Sequence, residues 1–404
     1  MRPTLVTTGA RCKRSGVRAI NPAWITLGAT LALAALGVYA IDLGAETRAH
    51  TLVEIPGLAL KQAILIGVGL LAAAVVAFPN YRLIRSVAWA ALALSVVPLI
   101  FLLLPFVPES IVTPRNGTRG WINLGFTDVQ PAEPAKIAFV LACAHYLRYR
   151  SGHRRLLGLI APALIALVPM ALITLQPDLG TASLFGPSLL AMLLAAGARL
   201  RHIALVLLLA GLLGAASFPV LKPHQKTRFI ALMRQFQGDQ RTASDINYQS
   251  FTAQTLIGAG GPRGMDDQRT RTLVRFNRLP ERHNDMIVAV VVARYGFVGG
   301  LAVISLYLLW VGSAVLVAAQ CQDPFGRLLV VGLSAFVATQ AVVNIGMNVG
   351  LLPIVGVTLP FVSAGGSSMV TGWVMVGLIL NVGLRRAVPP LRPGFEFDDA
   401  DPRP

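Results

Sequence analysis

Residues 87–107 read VAWAALALSVVPLIFLLLPFV and contain no charged side chain. A second uncharged run, AWITLGATLALAALGVYAI, covers residues 23–41. Each run is close to the roughly 20 apolar residues with which a helix crosses the hydrocarbon layer of a bilayer. The chain of 404 residues is 55% hydrophobic and 13% charged, whereas a soluble protein is about 25% charged. The sequence therefore predicts a polytopic membrane protein and excludes an ordinary soluble one.

Apolar stretches recur along the chain and predict an all-α fold with about ten transmembrane helices. The predicted spans cover residues 23–41, 63–78, 87–107, 134–149, 157–175, 181–198, 203–220, 301–320, 328–350 and 368–384. The fourth is short and starts in a polar run, which is compatible with a half-buried or tilted helix. The 38 Gly and 26 Pro also predict bent or broken helices, which a bilayer tolerates where neighbouring helices or a cavity satisfy the freed backbone groups. We therefore expect a functional cavity in the bundle.

The distribution of basic residues predicts the orientation of the bundle. The two tails and four short loops on one side together hold 18 Lys and Arg, whereas the opposite short loops hold five. The positive-inside rule then places both termini in the cytoplasm. The formal net charge of +17 is thus explained by topology rather than by nucleic-acid binding. The predicted organisation is a basic cytoplasmic tail (1–22), seven transmembrane helices (23–221), an extracytoplasmic loop before the eighth span (222–285), a juxtamembrane helix with three further spans (286–386) and a disordered cytoplasmic tail (387–404).

The large outer loop is basic, because its 11 Lys and Arg exceed its six acids. A basic loop beside a membrane favours anionic lipid headgroups or phosphate-bearing ligands. A solvated loop with incidental charge is an equally good interpretation of the composition alone.

Polar residues after the third predicted span form the first candidate cluster. Arg115 and Arg119 are suited to bind phosphate oxygens through a forked guanidinium. Trp121 could stack on a sugar, although a Trp at this depth is also typical of an interfacial anchor. Glu133 and Lys136 follow at the start of the fourth span.

Two aspartates lie where loops enter predicted helices. Asp178 sits in a tight outer turn, and Asp285 directly precedes an apolar run that begins at Met286. Partial desolvation raises the pKa of a carboxyl group and makes it a better base near neutral pH, so Asp285 is the leading candidate for a general base. Each aspartate could instead be a helix N-cap. For Asp178 this interpretation and a cavity role are equally good, and for Asp285 it fully accounts for the local sequence.

Further polar residues lie within apolar segments. Arg294 follows Asp285 by about two helical turns, and such a charge should face a cavity, a carboxylate or a phosphate. The segment 344–368 contains Asn348, Ser363 and Ser367, and its GGSS sequence is typical of a broken or re-entrant helix that lines a cavity. His283 lacks an accompanying HExxH pattern or nucleophilic Ser, so the sequence does not indicate metal or triad chemistry.

Five motifs, taken in order, resemble the hallmark motifs of the SEDS proteins (shape, elongation, division and sporulation) of the RodA, FtsW and SpoVE type. They are GWINLG (120–125) with QPAE (130–133), QPDLGT (176–181), LPERHND (279–285), NIGMNVGLLP (344–353) and PFVSAGGSS (360–368). The resemblance covers roughly residues 20–390, and the last two motifs are the most specific. Ten spans, cytoplasmic termini and a large outer loop are also typical of that family.

The resemblance implies a peptidoglycan glycosyltransferase that acts in cell elongation, division or sporulation. Such an enzyme polymerises lipid II, a disaccharide-peptide on an undecaprenyl pyrophosphate carrier, at the outer face of the bacterial cytoplasmic membrane. The partner implied is a class B penicillin-binding protein, which cross-links the strands. The family's essential Asp corresponds to Asp285, and its motif Trp corresponds to Trp121, with Arg119 beside it.

The chain departs from the family pattern after Asp285. The family usually has a Gly-Glu-Glu-Leu-Gly sequence or similar there, whereas Ala293 and Arg294 replace the acidic pair in this chain. Asn284, Met286 and Ala364 also differ from the residues that are frequent in the family. The sequence is therefore identified as a divergent member, and the loss of two acids weakens any metal-binding role for that pair.

Glycosyl transfer requires a base, stabilisation of the leaving pyrophosphate and exclusion of water. Asp285 is the predicted base, and inversion at the anomeric carbon then needs no covalent intermediate. A divalent cation, Mg²⁺ or Mn²⁺, is a candidate assistant, with no other cofactor expected. The alternatives are a lipid II flippase and a non-catalytic scaffold that activates a transpeptidase. The predicted substrate-binding residues are Arg115, Arg119, Trp121, Glu133, Lys136, Asp178, Arg282, Arg294, Asn348, Ser363 and Ser367.

Overall fold

The computed structural model describes most of the predicted transmembrane region. The described residues are 21–44, 57–112, 114, 118–125, 128–149, 155–217 and 248–385, together with positions 226, 230 and 233. Arg115, the N-terminal tail up to residue 20, the C-terminal tail from residue 386 and most of the segment 218–247 lie outside the described residues. The predictions for those parts therefore remain predictions.

The described residues fold almost entirely into helices. The helices are α1 (Pro22–Gly44), α2 (Leu58–Ala77), α3 (Tyr81–Ser86), α4 (Ala88–Phe101), α5 (Ala132–Leu147), α6 (Ile160–Leu175), α7 (Leu179–Ser183), α8 (Phe185–Ala195), α9 (Leu200–Ser217), α10 (Tyr248–Gly260), α11 (Asp267–Phe276), α12 (Ile287–Gln320), α13 (Pro324–Asn348) and α14 (Gly366–Leu384). A 3₁₀ turn (Leu156–Leu159) precedes α6. A two-stranded antiparallel hairpin pairs β1 (Ile122–Asn123) with β2 (Asp128–Val129).

Six of the described helices are long and apolar enough to cross a membrane. They are α1, α2, α6 with its preceding 3₁₀ turn, α12, α13 and α14. Two shorter apolar segments, α4 and α7–α8, accompany them. The chain is thus a multi-pass helical membrane protein.

The stretch 87–107 forms a shorter helix than its composition predicts. Helix α4 ends at Phe101 and is 14 residues long, about 21 Å at 1.5 Å per residue, whereas the hydrocarbon layer is about 30 Å thick. The chain turns immediately afterwards, and Leu102, Val107 and Val112 make a small apolar cluster of their own. Hydrophobicity therefore predicted an apolar segment correctly, while the last six residues of the stretch adopt turns and most of its side chains stay at the surface of the bundle.

The helix break that was predicted at the GGSS sequence lies earlier in the chain, between the last two helices. Helix α13 ends at Asn348 and α14 begins at Gly366, so residues 349–365 form the irregular connection between them. The GGSS sequence is not a broken helix, because Gly365 occupies the N-cap position and the next residues are helical. The irregular segment is largely buried around Val357, Leu359 and Val362.

Small residues bring the central helices close together. A Cβ atom added to Gly377 of α14 would lie 2.5 Å from the carbonyl oxygen of Ala73 in α2. The side chain of Trp373, which is fully buried, lies against Gly69 one turn earlier on α2. Close backbone approach through small residues is typical of helix packing in membranes. The α2–α14 pair is one of the places where two helix backbones come into close contact.

Helices α10 and α11 pack over the first part of α12 and the end of α1. Helix α12 is kinked at Gly296, where φ is +67°, a left-handed conformation that favours glycine. The turn after α10 docks at this kink, since the amide of Phe297 donates to the carbonyl of Gly261 and the amide of Met265 donates to the carbonyl of Ala293. Ala293 and Arg294, which replace the acidic pair of the family pattern, therefore lie where the turn after α10 contacts α12. Ala293 is fully buried at this contact.

Candidate active site

The backbone of Asp285 is held by two buried asparagines of α13. The carbonyl oxygen of Asp285 accepts hydrogen bonds from Nδ2 of Asn344 at 2.9 Å and from Nδ2 of Asn348 at 2.8 Å. Asn344 also donates to the carbonyl of Val357 at 2.7 Å. Both asparagines are wholly buried, whereas Asp285 is half-buried. The peptide group that follows Asp285 is therefore fixed against α13.

The two residues before Asp285 are held by the irregular segment. The carbonyl of His283 accepts a hydrogen bond from the amide of Ala364 at 2.7 Å. The hydroxyl of Ser363 donates to the carbonyl of Asn284 at 2.6 Å and accepts from the amide of Leu359 at 2.8 Å. Three consecutive carbonyl groups, at residues 283, 284 and 285, are thus bound by the segment 344–364. This rigid support is what a preorganised functional group requires.

Asp285 is not the N-cap of the helix that follows it. The cap position is Met286, one residue later, and that residue makes no side-chain capping bond. The carboxylate of Asp285 instead approaches the irregular segment, because Oδ2 lies 3.6 Å from where a Cβ of Gly356 would be. Gly356 has a φ of +73°, which favours glycine at this place. The helix-capping interpretation of Asp285 is therefore wrong.

A narrow cavity beside this segment contains a buried ion pair. Nζ of Lys136 lies 2.8 Å from Oε1 of Glu133, and the two side chains are 1% and 6% exposed. Gln340, Ser363 and Ser368 also line the cavity. Because Ser363 binds the carbonyl of Asn284 as well, the wall of the cavity adjoins the segment that carries Asp285. Two charges buried this deeply are costly unless paired, and their placement beside a cavity is more typical of a functional site than of a core.

Asp178 does cap a helix, as one of the two interpretations predicted. Its Oδ1 accepts a hydrogen bond from the amide of Thr181 at 2.9 Å, at the start of α7. Its Oδ2 also accepts from Nε2 of Gln130 at 3.1 Å, and the amide of Gln130 donates to Oγ of Ser367 at 3.1 Å. Burial raises the pKa of the Asp178 carboxyl, and the Thr181 bonds oppose that shift. Gln130 therefore links Asp178 to Ser367, which lies at the start of α14.

Arg119 lies against the turns that follow α4. Its Nη2 donates to the carbonyl of Val107 at 3.2 Å, while its Nε is buried without a hydrogen-bond partner among the described residues. Trp121, two residues later, is half-buried. An arginine with one unsatisfied donor retains capacity for a further acceptor.

Arg294 binds α11 and the turn that precedes it. Its Nε lies 2.5 Å from Oδ1 of Asp267 in α11, and its Nη1 donates to the carbonyl of Met265 at 2.9 Å. The hydroxyl of Tyr39 in α1 donates to the same carboxylate at 2.7 Å. The hydrogen bonds from Tyr39 and Arg294 hold the pKa of Asp267 below its ordinary value. The expectation that a carboxylate faces Arg294 is confirmed, and this cation connects α1, α11 and α12.

Arg282 makes a similar connection beside the candidate base. Its Nε donates to the carbonyl of Gly44 at the end of α1, at 2.8 Å. The ring of His283 packs at the same place, about 3.0 Å from where a Cβ of Gly44 would lie. A glycine at the end of α1 thus lets the His283–Asp285 segment approach this helix.

Sequence reasoning missed Gln340 and the role of Asn344. Both lie with Asn348 at intervals of four residues along α13, and residues four apart share one face of a helix. A polar stripe in an otherwise apolar helix is a readable signal of a cavity or a polar contact. It joins the Lys136 cavity to the backbone of Asp285.

Described residues provide no group of three or more His, Cys, Asp or Glu side chains that could hold a metal ion. A Mg²⁺ ion, however, commonly binds through one or two carboxylates together with substrate phosphates. A cation of this kind would arrive with a phosphate-bearing substrate and would take most of its ligands from that substrate.

The fold and the site define a class of protein: a multi-pass helical membrane protein with an acid held rigidly beside a buried, charged cavity. The profile of the cell cycle protein family of FtsW, RodA and SpoVE matches residues 23–387. The chain therefore belongs to this family, as its motifs predicted.

Relatives and a solved structure extend this assignment. The chain is 34% identical over 340 residues to a probable peptidoglycan glycosyltransferase FtsW of Mycobacterium tuberculosis, covering 83% of this chain and 62% of that protein. The chain thus spans less than two thirds of the mycobacterial relative's length. A protein of the same description from Nitrosococcus halophilus is 33% identical over 378 residues, covering 91% of this chain and 94% of its own length.

The fold also matches a chain in a solved structure of a peptidoglycan synthase complex that coordinates polymerization and crosslinking. The TM-score is 0.75 at 29% sequence identity, and the match covers 90% of this chain and 98% of that chain. The similarity therefore extends over nearly the whole helical bundle.

Proposed function

We propose that this chain is a peptidoglycan glycosyltransferase that polymerises lipid II. The observation that carries the proposal is the placement of Asp285: its backbone is fixed by α13 beside a cavity that holds a buried lysine. The relatives named peptidoglycan glycosyltransferases support the same activity.

In the proposed reaction, Asp285 accepts the proton of the acceptor sugar's 4-hydroxyl. The oxygen attacks the anomeric carbon of the donor, and the bond from that carbon to the pyrophosphate breaks. Attack opposite an α-linked leaving group inverts the centre and gives a β linkage. A half-buried acid suits this role because partial exclusion of water strengthens its interactions with the reacting groups.

The leaving pyrophosphate needs positive charge. Lys136 is the best-placed described cation, because it lines the cavity and Glu133 holds its orientation. Arg119 has an unsatisfied Nε to offer, and Arg115 precedes it in the chain. Arg282 and Arg294 bind protein groups and would act over a longer range. Trp121, Asp178 and Ser367 remain candidates for contacts with the sugar or peptide.

A divalent cation would add charge at the same place. With the pyrophosphate oxygens of the substrate as its main ligands, Mg²⁺ or Mn²⁺ would neutralise the charge that develops on the leaving group, while Asp285 acts as the base on the opposite face of the sugar. We propose no other cofactor.

The proposed setting is the bacterial cytoplasmic membrane, crossed about ten times, with both termini in the cytoplasm and the segment 222–285 outside. The bias of Lys and Arg supports this orientation. A class B penicillin-binding protein is the proposed partner, supported by the similarity to a chain of a peptidoglycan synthase complex.

Polymerisation of purified lipid II by the purified chain tests the proposal, with and without the transpeptidase. The wild type should form glycan polymer, and Asp285→Ala should bind lipid II but lose at least about 100-fold in rate, the lower range expected for a general base. Wild-type rates in the folded variant would refute the assignment of Asp285.

Two further measurements, lipid II movement across vesicle membranes and transpeptidase activity, separate the alternative functions. A flippase would move labelled lipid II across a vesicle membrane without forming polymer. A scaffold would raise transpeptidase activity while neither polymerising nor moving the lipid. Either outcome would overturn the proposed glycosyltransferase activity.

A further inference from the structure

We propose that Asn344 and Asn348 are positioning residues that orient the carboxylate of Asp285 for catalysis. This inference rests on the proposed function, since it assigns the two amides to the support of the proposed base. It replaces the substrate contact that the sequence suggested for Asn348 with a contact to protein backbone.

Both amides converge on one atom. The carbonyl oxygen of Asp285 accepts from Asn344 at 2.9 Å and from Asn348 at 2.8 Å. A carbonyl oxygen has two lone pairs, so the two bonds use its full capacity and define the plane of the peptide group. The direction of the Asp285 side chain from its Cα is restricted accordingly.

Asn348 also supports the helix that follows Asp285. Its Oδ1 accepts a hydrogen bond from the amide of Ala289 at 3.2 Å, in the first turn of α12. The same amide also donates to the carbonyl of Met286 at 3.2 Å, and Met286 at the cap position makes no side-chain capping bond. Asn348 thus gives a first-turn amide of α12 a second acceptor and ties the start of α12 to α13.

Rigid placement of a base raises the rate of the chemical step by a measurable factor. A displacement of about 1 Å caused by a change outside the reacting groups can cost about 100-fold in rate. Because the two amides share one acceptor, each single variant retains one bond and the double variant retains none. We therefore expect the two losses to be coupled rather than independent.

The chain offers a matched control in Asn381 of α14. This asparagine is also fully buried, its Nδ2 donates to the carbonyls of Val76 and Pro79, and its Oδ1 accepts from the amide of Tyr81. It lies 15 residues after the start of α14, about 22 Å along the helix axis. Its removal costs the same types of bond at the end of α14 remote from Asp285.

The experiment compares Asn344→Ala, Asn348→Ala, the double variant and Asn381→Ala in the full-length chain. The readouts are lipid II affinity, KM and kcat for polymerisation, and thermal stability. We expect kcat to fall about 3-fold in each single variant and about 100-fold in the double variant, which is more than the roughly 10-fold product of two independent losses, with affinity and KM within about twofold of wild type. Asn381→Ala should lose stability to a similar extent and keep kcat within about twofold.

Several outcomes would overturn the inference. One is a double variant whose kcat matches that of Asn381→Ala, and another is a loss that resides in KM and affinity, which would indicate substrate contact. If the double variant does not fold, the two single variants decide by the same division between kcat and KM. Absence of polymer from the wild type would instead refute the proposed function, and the positioning role with it.

Discussion

At the scale of single residues, the buried ion pair of Glu133 and Lys136 allows a role in catalysis to be distinguished from a role in stability. The two side chains are nearly inaccessible and 2.8 Å apart. Removing one partner of such a pair costs about 3–5 kcal/mol, whereas replacing both by neutral groups is often nearly neutral for stability. A pair retained for chemistry and a pair retained for folding therefore respond differently to double substitution.

We predict that Lys136→Met lowers the free energy of unfolding by about 3–5 kcal/mol and abolishes polymerisation. The double variant Glu133→Gln with Lys136→Met should recover most of the stability, because no unpaired charge is left buried. Its polymerisation rate should remain about 100-fold below wild type, the cost expected when one electrostatic contact to the transition state is lost. Chemical denaturation and the lipid II assay measure the two effects, and recovery of activity in the double variant would assign the pair to stability alone.

At the scale of elements, α11 is attached to α1 and α12 by two ion pairs, one of which involves the carboxylate of Asp267. Asp267 accepts hydrogen bonds from Tyr39 and Arg294, and Arg271 of the same helix binds Asp42 of α1. The pKa of Asp267 is lowered by these bonds, so the ionised form is favoured in the folded protein. This contribution to stability is complete above the unfolded pKa of about 3.9 and is lost as the pH falls through the lower, folded value.

We predict that the melting temperature of the wild type falls more steeply below about pH 4 than that of Asp267→Asn. The variant lacks the ionisable group whose protonation breaks the attachment of α11. Thermal unfolding of both proteins between pH 6 and pH 3 measures the difference. Parallel curves would show that this carboxylate does not link α11 to the bundle.

The α2–α14 contact provides a second prediction at this scale. Gly377→Ala places a Cβ 2.5 Å from the carbonyl oxygen of Ala73, so the helices must separate. We expect a loss of about 1–3 kcal/mol in unfolding free energy, as for other overpacked sites. Gly312→Ala is the control, because a Cβ at that glycine meets nothing within 4 Å. Equal stability of the two variants would contradict the close packing.

At the scale of the whole molecule, the bundle has two polar ends with different chemistry. The end that carries Asp285 also carries the β1–β2 hairpin, since Gln130 binds Ser367 at the start of α14. At the other end, Arg385 binds the carbonyl of Ala77 at the end of α2, and Asn381 binds that of Pro79 just after it. The proposed orientation places the Asp285 end outside the cell.

We predict that Thr272→Cys reacts with a membrane-impermeant maleimide on intact cells. Ser86→Cys, at the opposite end, should react only after the membrane is permeabilised, because the positive-inside rule places α3 in the cytoplasm. Both positions are exposed, so the readout reports sidedness rather than burial. The experiment uses a background in which Cys12, Cys143 and Cys321 are replaced by Ser, and the reverse labelling pattern would contradict the orientation.

Much of the bundle could be predicted because its signals are local. Uninterrupted apolar runs identify α1, α6, α12, α13 and α14, since a bilayer imposes a minimum length on a spanning helix. The motifs likewise identified the family, and they are the basis on which Asp285 is proposed as the base. The end of α4 was predicted wrongly because hydrophobicity does not specify backbone conformation: residues 102–112 adopt turns instead of helix, and of these Leu102, Val107 and Val112 are buried.

The sequence by itself determined the class of protein, the family and the identity of the proposed base, because each depends on residue type and short spacing. Only the tertiary structure decided what holds that base in place. The bonds from Asn344 and Asn348 to Asp285 join residues about 60 positions apart, and no periodicity in one chain encodes which buried amide meets which carbonyl. That choice follows from the packing of α13 against α12, in which every buried amide must find a partner.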